Sequence, residues 1–129
     1  EFAKKIRSAK VLNYLVSDIS KNVGFLQSNL LSKIEERKNN QINLKTIKTV
    51  RFDFLQHKYN FDSSYDFLSV DVEGHELEFI KSINFDLIKF KYILVESYHF
   101  DELNKLLTRH NYIFIKKLTV HDYLFKYKN

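Results

Sequence analysis

The second half of the chain alternates between apolar runs and amphipathic segments, and this alternation constrains its fold more than any other feature. Two segments carry apolar residues every three or four positions, as on one face of a helix, and the runs between them are short. In chain order the segments are a strand at 66–71, a helix with Leu77, Ile80 and Ile83 inward, a strand at 92–95, a helix at 100–109, and strands at 112–117 and 123–127. This order predicts parallel strands joined by helical crossovers, and the final close pair predicts an antiparallel hairpin.

The first half of the chain has weaker patterns. Three β-type runs and one short helix are predicted there, at 11–16, 22–27, 42–50 and 52–55. Residues 28–43 are rich in charge and Asn, and only Leu30, Leu31 and Ile34 support a single helical turn. We expect 28–43 to be the least ordered internal stretch, because it offers little apolar surface to offset the entropy lost on ordering.

The composition indicates one folded, soluble domain. The chain has 129 residues, of which 44% are hydrophobic and 29% charged. No apolar run approaches the roughly 20 residues needed to span a bilayer. The absence of cysteine excludes disulfides, thiolate metal ligands and thiol nucleophiles, and it fits a cytoplasmic location. The net charge is +5, but the lysines are scattered along the chain, which is typical of a solvated surface and argues against a nucleic-acid partner.

Polar side chains cluster where two successive strands of the predicted parallel sheet end. One strand ends at Asp71, with Glu73 and His75 following, and the next ends at Glu96, with His99 close behind. In an open α/β sheet, ligands bind outside the carboxyl ends of the strands. We therefore expect Asp71 and Glu96 to lie side by side at the edge that carries a functional site.

The same residues also have ordinary structural interpretations. Glu73, Glu76 and Glu78 lie in or near a first helical turn, where acidic side chains are favoured by the helix dipole. His99 and Asp101 are placed to cap the helix that begins near residue 100. On these interpretations the cluster needs no catalytic purpose.

A metal-dependent 3′–5′ exonuclease is an alternative enzyme class. In that class a strand ending in Asp-x-Glu, here Asp71 and Glu73, holds a divalent ion. His121 and Asp122 loosely imitate its later motif. Against this alternative, the pattern after Gly74 is helical, whereas the exonuclease fold continues into antiparallel strands.

Residues 65–81 resemble the signature segment of the FkbM family of S-adenosylmethionine-dependent methyltransferases. That family shows Asp-x-Glu-Gly-x-Glu at a strand end, an apolar helix, and then a strand ending in Val-Glu, here Val95 and Glu96, with a histidine close behind, here His99. Supporting similarities lie upstream, at 16–18, 24–26 and 49–55. The resemblance implies a partial Rossmann-like class I methyltransferase fold, a mostly parallel sheet with an antiparallel C-terminal hairpin.

The resemblance also implies the roles of the matched residues. Those expected to contact S-adenosylmethionine are Ser17, Asp18, Asp71 and Val72, with Asp18 at the adenine. The reaction would be an in-line displacement at the sulfonium methyl group by a hydroxyl of a small-molecule or glycan acceptor. The candidate catalytic residues are Asp71, Glu73, His75, Glu96 and His99. Glu73, His75 and His99 are equal candidates for the base that takes the hydroxyl proton.

The chain departs from the family pattern at its glycines. The family's first strand carries an Asp-x-Gly-x-x-x-Gly-like turn, and its second strand ends in an acid that holds the ribose, but this chain has only Gly24 and Gly74. We expect residues 1–129 to be the C-terminal portion of a single methyltransferase-like domain without the cofactor-loop strands. Such a portion is expected to be inactive alone and to self-associate through open sheet edges. A non-catalytic remnant domain is the other alternative.

Overall fold

The computed structural model describes residues 9–26, 33–35 and 45–128, and these form eight strands and three helices. In chain order the elements are β1 (Leu15–Val16), β2 (Asn22–Leu26), β3 (Lys33–Glu35), β4 (Lys45–Val50), α1 (Phe52–Tyr59), β5 (Ser64–Val70), α2 (Glu76–Lys81), β6 (Lys89–Glu96), α3 (Phe100–Arg109), β7 (Tyr112–Lys117) and β8 (Asp122–Tyr127).

The strands form two four-stranded sheets, in the orders β1-β4-β2-β3 and β5-β6-β8-β7. Each sheet contains one parallel pair, β1 with β4 and β5 with β6, and its other pairs are antiparallel. The α/β class is therefore confirmed, but the expectation of a mostly parallel sheet is wrong. Helix α2 returns the chain so that β5 and β6 run parallel, whereas β8 turns back directly from β7 and joins β6 in the opposite direction.

The antiparallel hairpin at the C-terminal end is present, as the sequence predicts. Strands β7 and β8 pair from Tyr112 opposite Tyr127 to Lys117 opposite Tyr123, with a bulge between Phe114 and Lys116. Strand β8 lies between β6 and β7, so the hairpin extends the parallel pair into a mixed sheet.

The main core lies around the second sheet and helices α2 and α3. Its fully buried members include Ile80 of α2, Ile93 of β6, Leu103 and Leu107 of α3, and Phe125 of β8. Leu103 and Leu107 are four residues apart, so they lie on one face of α3, which is why the spacing predicted this helix correctly. This core holds the carboxyl ends of β5 and β6 in place.

Several predicted element bounds shift in the structure. Helix α3 coincides with the prediction, but α2 ends at Lys81, before Ile83. Helix α1 extends past the predicted 52–55 to Tyr59, and Asn60 follows it in the left-handed conformation (φ 48°) that Asn tolerates at a helix end. Of the predicted run at 11–16, only Leu15 and Val16 form a ladder.

The polar stretch 28–43 lies outside the described residues, apart from residues 33–35. Those three form β3, which pairs antiparallel with β2. Ile34 lies opposite Phe25 in this ladder. The expectation of a helical turn that includes Ile34 is therefore wrong, because β2 offers unpaired backbone groups to an extended segment.

The segment after β1 is tied to β4 by a buried threonine. Thr49 is 1% exposed, and its hydroxyl lies 2.7 Å from the Ile19 carbonyl oxygen and 3.0 Å from the Lys21 carbonyl oxygen. The backbone N–H of Lys21 donates to the same hydroxyl at 2.9 Å. Ser20 adds a bond from its hydroxyl to the Thr49 carbonyl. The loop that follows β1 is held against β4 by this network.

Arg51 connects that loop to the helices of the second sheet. Its guanidinium binds Asp53 at 2.7 and 2.9 Å and donates to the carbonyl of Asp18. The backbone N–H of Asp53 donates to the carbonyl of Ser82, just after α2, at 3.0 Å. The beginning of helix α1 therefore links the loop after β1 to the C-terminal end of α2.

Replacing Thr49 by valine is expected to lower the free energy of unfolding by about 1–3 kcal/mol, because the buried groups around its hydroxyl lose their partner. Valine has nearly the same shape, so the change tests the hydroxyl alone. Urea unfolding measures the effect, and Thr108→Val on the exposed side of α3 is the matched control. Equal stability of the two variants would contradict the assigned network.

Candidate functional site

The carboxyl ends of β5 and β6 lie side by side, as the sequence predicts. Val70 is opposite Val95 in the parallel ladder, so Asp71 and Glu96 follow at neighbouring positions. The pKa of the Glu96 carboxyl is raised, chiefly by the nearby charge of Asp71, and further by partial loss of water and by Asp122 and Glu73. A raised pKa of this origin means that the two carboxylates share one small region.

The turn after β5 has a conformation that explains its glycine. Glu73 and Gly74 both have positive φ values, 52° and 90°, and the larger one is a conformation that favours glycine. The N–H of Gly74 donates to the carboxylate of Glu76 at 2.7 Å. Glu76 is only 3% exposed, so it stabilises this turn and does not face the solvent. Glu73 remains exposed beside Asp71.

His75 joins the ends of the two sheets. Its Nε2 lies 3.0 Å from the hydroxyl of Ser17, and its Nδ1 lies 3.6 Å from the carboxylate of Glu78. Ser17 is 2% exposed, and its hydroxyl also lies 3.1 Å from a carboxylate oxygen of Asp18. Two of the predicted site residues, Ser17 and His75, are thus brought into contact from segments 58 residues apart in the chain, and Asp18 is joined to them through Ser17.

The remaining predicted residues are placed differently. Val72 is partly buried, and its side chain packs against the core. His99 is the N-cap residue of α3, but its ring makes no capping bond. Its backbone N–H binds the hydroxyl of the buried Ser97 at 3.1 Å, and the residue is exposed. Among the described residues, the ring of His99 makes no hydrogen bond to Asp71 or Glu96. The ring of His75, in contrast, lies within hydrogen-bond distance of Ser17.

Asp122 is a further acidic residue at this edge that the methyltransferase interpretation missed. It begins β8 directly opposite Glu96, and its charge contributes to the raised pKa of that residue. Thr119 donates a hydrogen bond to its carboxylate at 2.5 Å. Asp122 stood out in the sequence only as part of the exonuclease motif, and nothing there indicated that it lies beside Glu96, because the pairing of β8 with β6 depends on tertiary structure.

The exonuclease alternative conflicts with the topology after the Asp-x-Glu pair. Helix α2 follows Gly74, and the next strand, β6, runs parallel to β5. Within residues 9–26, 33–35 and 45–128, no three His, Asp or Glu side chains are placed to hold a metal ion together. Asp71 and Glu73 therefore lack the antiparallel continuation that this class requires.

No helix in the described part of the chain is long and apolar enough to cross a membrane. Comparison with family models gives a match to the methyltransferase FkbM domain over residues 4–114. Searches of curated proteins and of solved structures found no match. The family match covers most of the chain and includes every predicted site residue. The chain belongs to the FkbM methyltransferase family.

Proposed function

We propose that this chain is part of an S-adenosylmethionine-dependent methyltransferase and carries the residues that bind the methyl acceptor. The acceptor is a hydroxyl group of a small molecule or sugar. The observation that carries this proposal is the Asp71–Glu96 pair at the carboxyl ends of two parallel strands, where the electrostatics raise the pKa of Glu96. Paired carboxylates of this kind are suited to accept a proton from a hydroxyl group.

Two aspartates, Asp18 and Asp71, have side chains suited to bind the methyl donor. Asp18 and Asp71 are ionisable acceptors, which suit the amino and hydroxyl donors of the adenosine and methionine parts of S-adenosylmethionine. Ser17 places Asp18 through their 3.1 Å contact. When bound, S-adenosylmethionine supplies an electrophilic methyl group on a sulfonium sulfur. Among residues 9–26, 33–35 and 45–128 the only glycines are Gly24 and Gly74, so a glycine-rich cradle is not among the groups that would hold it.

Glu96 is the residue that we assign as the proton acceptor, with Asp71 as its partner. The negative charge of Asp71 makes protonation of Glu96 easier, which strengthens it as a base. His75 is assigned a positioning role, because Ser17 and Glu78 engage its two ring nitrogens. Glu73 lies close enough to raise the pKa of Glu96, and we assign it to the same group of acidic side chains as Asp71 and Glu96.

The experiment that tests this proposal is an NMR titration of the labelled chain with S-adenosylmethionine up to about 10 mM. We expect weak, saturable amide shifts centred on residues 17–18 and 71–75. Asp18→Asn is expected to abolish them, and Asp66→Asn, an exposed acid elsewhere on β5, is the matched control. Shifts centred elsewhere, or none at 10 mM, would refute the assigned donor site.

Replacing Glu96 by glutamine is expected to flatten the pH dependence of stability. Because the folded-state pKa of Glu96 is raised above its ordinary 4.5, its contribution is fully present below that value and is lost as the pH rises through the raised pKa. Thermal unfolding midpoints measured upward from pH 4.5 should therefore fall more steeply in the native chain than in Glu96→Gln. Glu102→Gln on α3 is the control, and parallel curves for native chain and Glu96→Gln would count against the Asp71–Glu96 coupling.

A further inference from the structure

An open cavity lies between the end of α1, the segment before β1 and one face of β5. Its volume is 410 Å³, within the range of small-molecule sites. Six aromatic side chains line it, those of Phe52, Tyr59, Phe61, Tyr65, Phe67 and Phe90. Phe67 lies four residues before Asp71, roughly 13 Å away along the strand. The cavity shares no residue with the candidate site and is separate from the Asp71–Glu96 pair.

The strand registers place three of these rings on the same face of the second sheet. Tyr65 is opposite Phe90 in the parallel ladder, and side chains of paired residues project to the same face. Phe67 follows Tyr65 by two residues, so it also projects to that face. Ile93 of the main core, three residues after Phe90, projects to the other face. A single ligand on this face can therefore contact all three rings.

Direct ring contacts connect this face of β5 to the end of α1. The centroid of the Phe61 ring lies 6.4 Å from that of Tyr65 and 6.4 Å from that of Tyr59. Two of the rings are accessible, since Phe67 keeps 52% of its surface exposed and Tyr65 keeps 38%. An apolar ligand in the cavity would remove this aromatic surface from water, which favours its binding.

The charge at the cavity indicates the charge of its ligand. The ammonium of Lys10, which is part of the lining, lies 4.4 Å from the centroid of the Tyr59 ring. Among the described residues no carboxylate forms an ion pair with Lys10, and the lining contains no Asp or Glu. The hydroxyl of Tyr59 already contacts that of Tyr14, at 2.8 Å. A ligand with a negative group would therefore find its partner in Lys10.

We infer that this cavity binds a carboxylate that carries a flexible apolar chain, a ligand of the fatty-acid class. Its carboxylate contacts Lys10 beside Tyr59, and its chain runs along Phe61 toward Tyr65 and Phe67. A flexible chain suits this site because the rings follow one another in separate pairwise contacts and do not form a single flat surface. The inference does not depend on the proposed methyl transfer, because none of these residues takes part in it.

The test is a calorimetric titration of the chain with decanoate, a ten-carbon carboxylate, at concentrations below those at which it forms micelles. We expect saturable binding of decanoate. Acetate, which has the same charged group without the chain, should not bind, and decyltrimethylammonium, which has the same chain with a positive group, should bind at least about tenfold more weakly. Equal affinity for decyltrimethylammonium, or no saturable binding of decanoate at about 5 mM, would overturn the inference.

Exposed residues provide variants that should keep the fold. Lys10→Gln is expected to raise the dissociation constant of decanoate about three- to tenfold, whereas the control Lys105→Gln on α3 changes the net charge equally and should have no effect. Phe67→Ser is expected to raise it about fivefold. Its control is Phe54→Ser, because Phe54 has similar exposure, 49%, and lies outside the cavity. Equal effects of a variant and its control would overturn the assigned contact.

The position of the ligand is measured by amide shifts in NMR spectra of the labelled chain. Decanoate should shift residues 59–67 most, and shifts centred on residues 71–75 would overturn the site. A second copy of the chain is the competing occupant of this face. Failure of decanoate to bind, together with loss of self-association in Phe67→Ser, would overturn the inference and assign the face to that copy.

Discussion

Replacing Phe125 by alanine is expected to lower the free energy of unfolding by about 3–5 kcal/mol, the largest change in stability that a single core truncation should produce here. Phe125 has no exposed surface and lies in β8, opposite Ile93 of β6 and Phe114 of β7. Its ring also contacts that of Phe114, with centroids 5.7 Å apart. Truncation removes buried apolar surface and leaves a cavity between strands that cannot move together, since the ladders on both sides hold them.

Denaturant unfolding measures this effect, and Phe54→Ala is the matched control, because Phe54 lies on α1 with 49% of its surface exposed. A domain is stable by only about 5–15 kcal/mol, so a loss of this size is a large fraction of the total and can leave part of the Phe125→Ala chain unfolded. Phe125→Leu keeps most of the buried surface and should lose less stability, which provides a measurable intermediate. Similar losses for Phe54→Ala and Phe125→Ala would contradict the position of β8 in the core.

The second large effect concerns the methyl donor: the 129-residue chain is expected to bind S-adenosylmethionine with a dissociation constant weaker than about 100 μM. We expect Asp18 and Asp71 to provide contacts only at the side of the ligand, and with Gly24 and Gly74 as its glycines the chain is expected to lack the glycine turn and the ribose-binding acid of the family pattern. Each charge-assisted hydrogen bond that is missing costs roughly 1.5–3 kcal/mol, and a few of them remove a micromolar affinity.

Isothermal titration calorimetry of the purified chain tests this expectation directly. A heat signal that saturates in the low micromolar range and is lost in Asp18→Ala would show that these residues form a complete pocket. Weak binding together with NMR shifts at residues 17–18 and 71–75 would instead agree with both the assigned site and the incomplete glycine pattern. The affinity and the location of binding are therefore separate results.

Self-association remains a prediction that the topology supports. Strand β5 pairs only with β6 among the described residues, and β1 pairs only with β4, so each sheet has an edge strand that faces no other strand there. Phe67 on β5 is 52% exposed. Unpaired edges with exposed apolar side chains favour pairing between copies. Sedimentation velocity over a range of concentrations would measure it.

The local pattern of the sequence accounts for much of the second sheet. Helix α3 was predicted with its observed bounds, because Leu103 and Leu107 recur at the helical period and their burial follows from that period. The parallel pairing of β5 and β6 followed from the helix between them. Once that pairing was known, Asp71 and Glu96 had to end neighbouring strands. These conclusions needed only residues close together in the chain.

The sequence by itself determined the family signature, the α/β class and the two strand ends that carry the acidic pair. Only the tertiary structure decided that the sheets are mixed, that Asp122 faces Glu96, and that His75 binds Ser17, which lies 58 residues away. The physical reason is the separation along the chain of the residues that interact. Periodicity reports which face of a segment is buried, but a hydrogen bond between distant segments, or the direction in which β8 joins β6, depends on how the assembled core packs and leaves no local pattern.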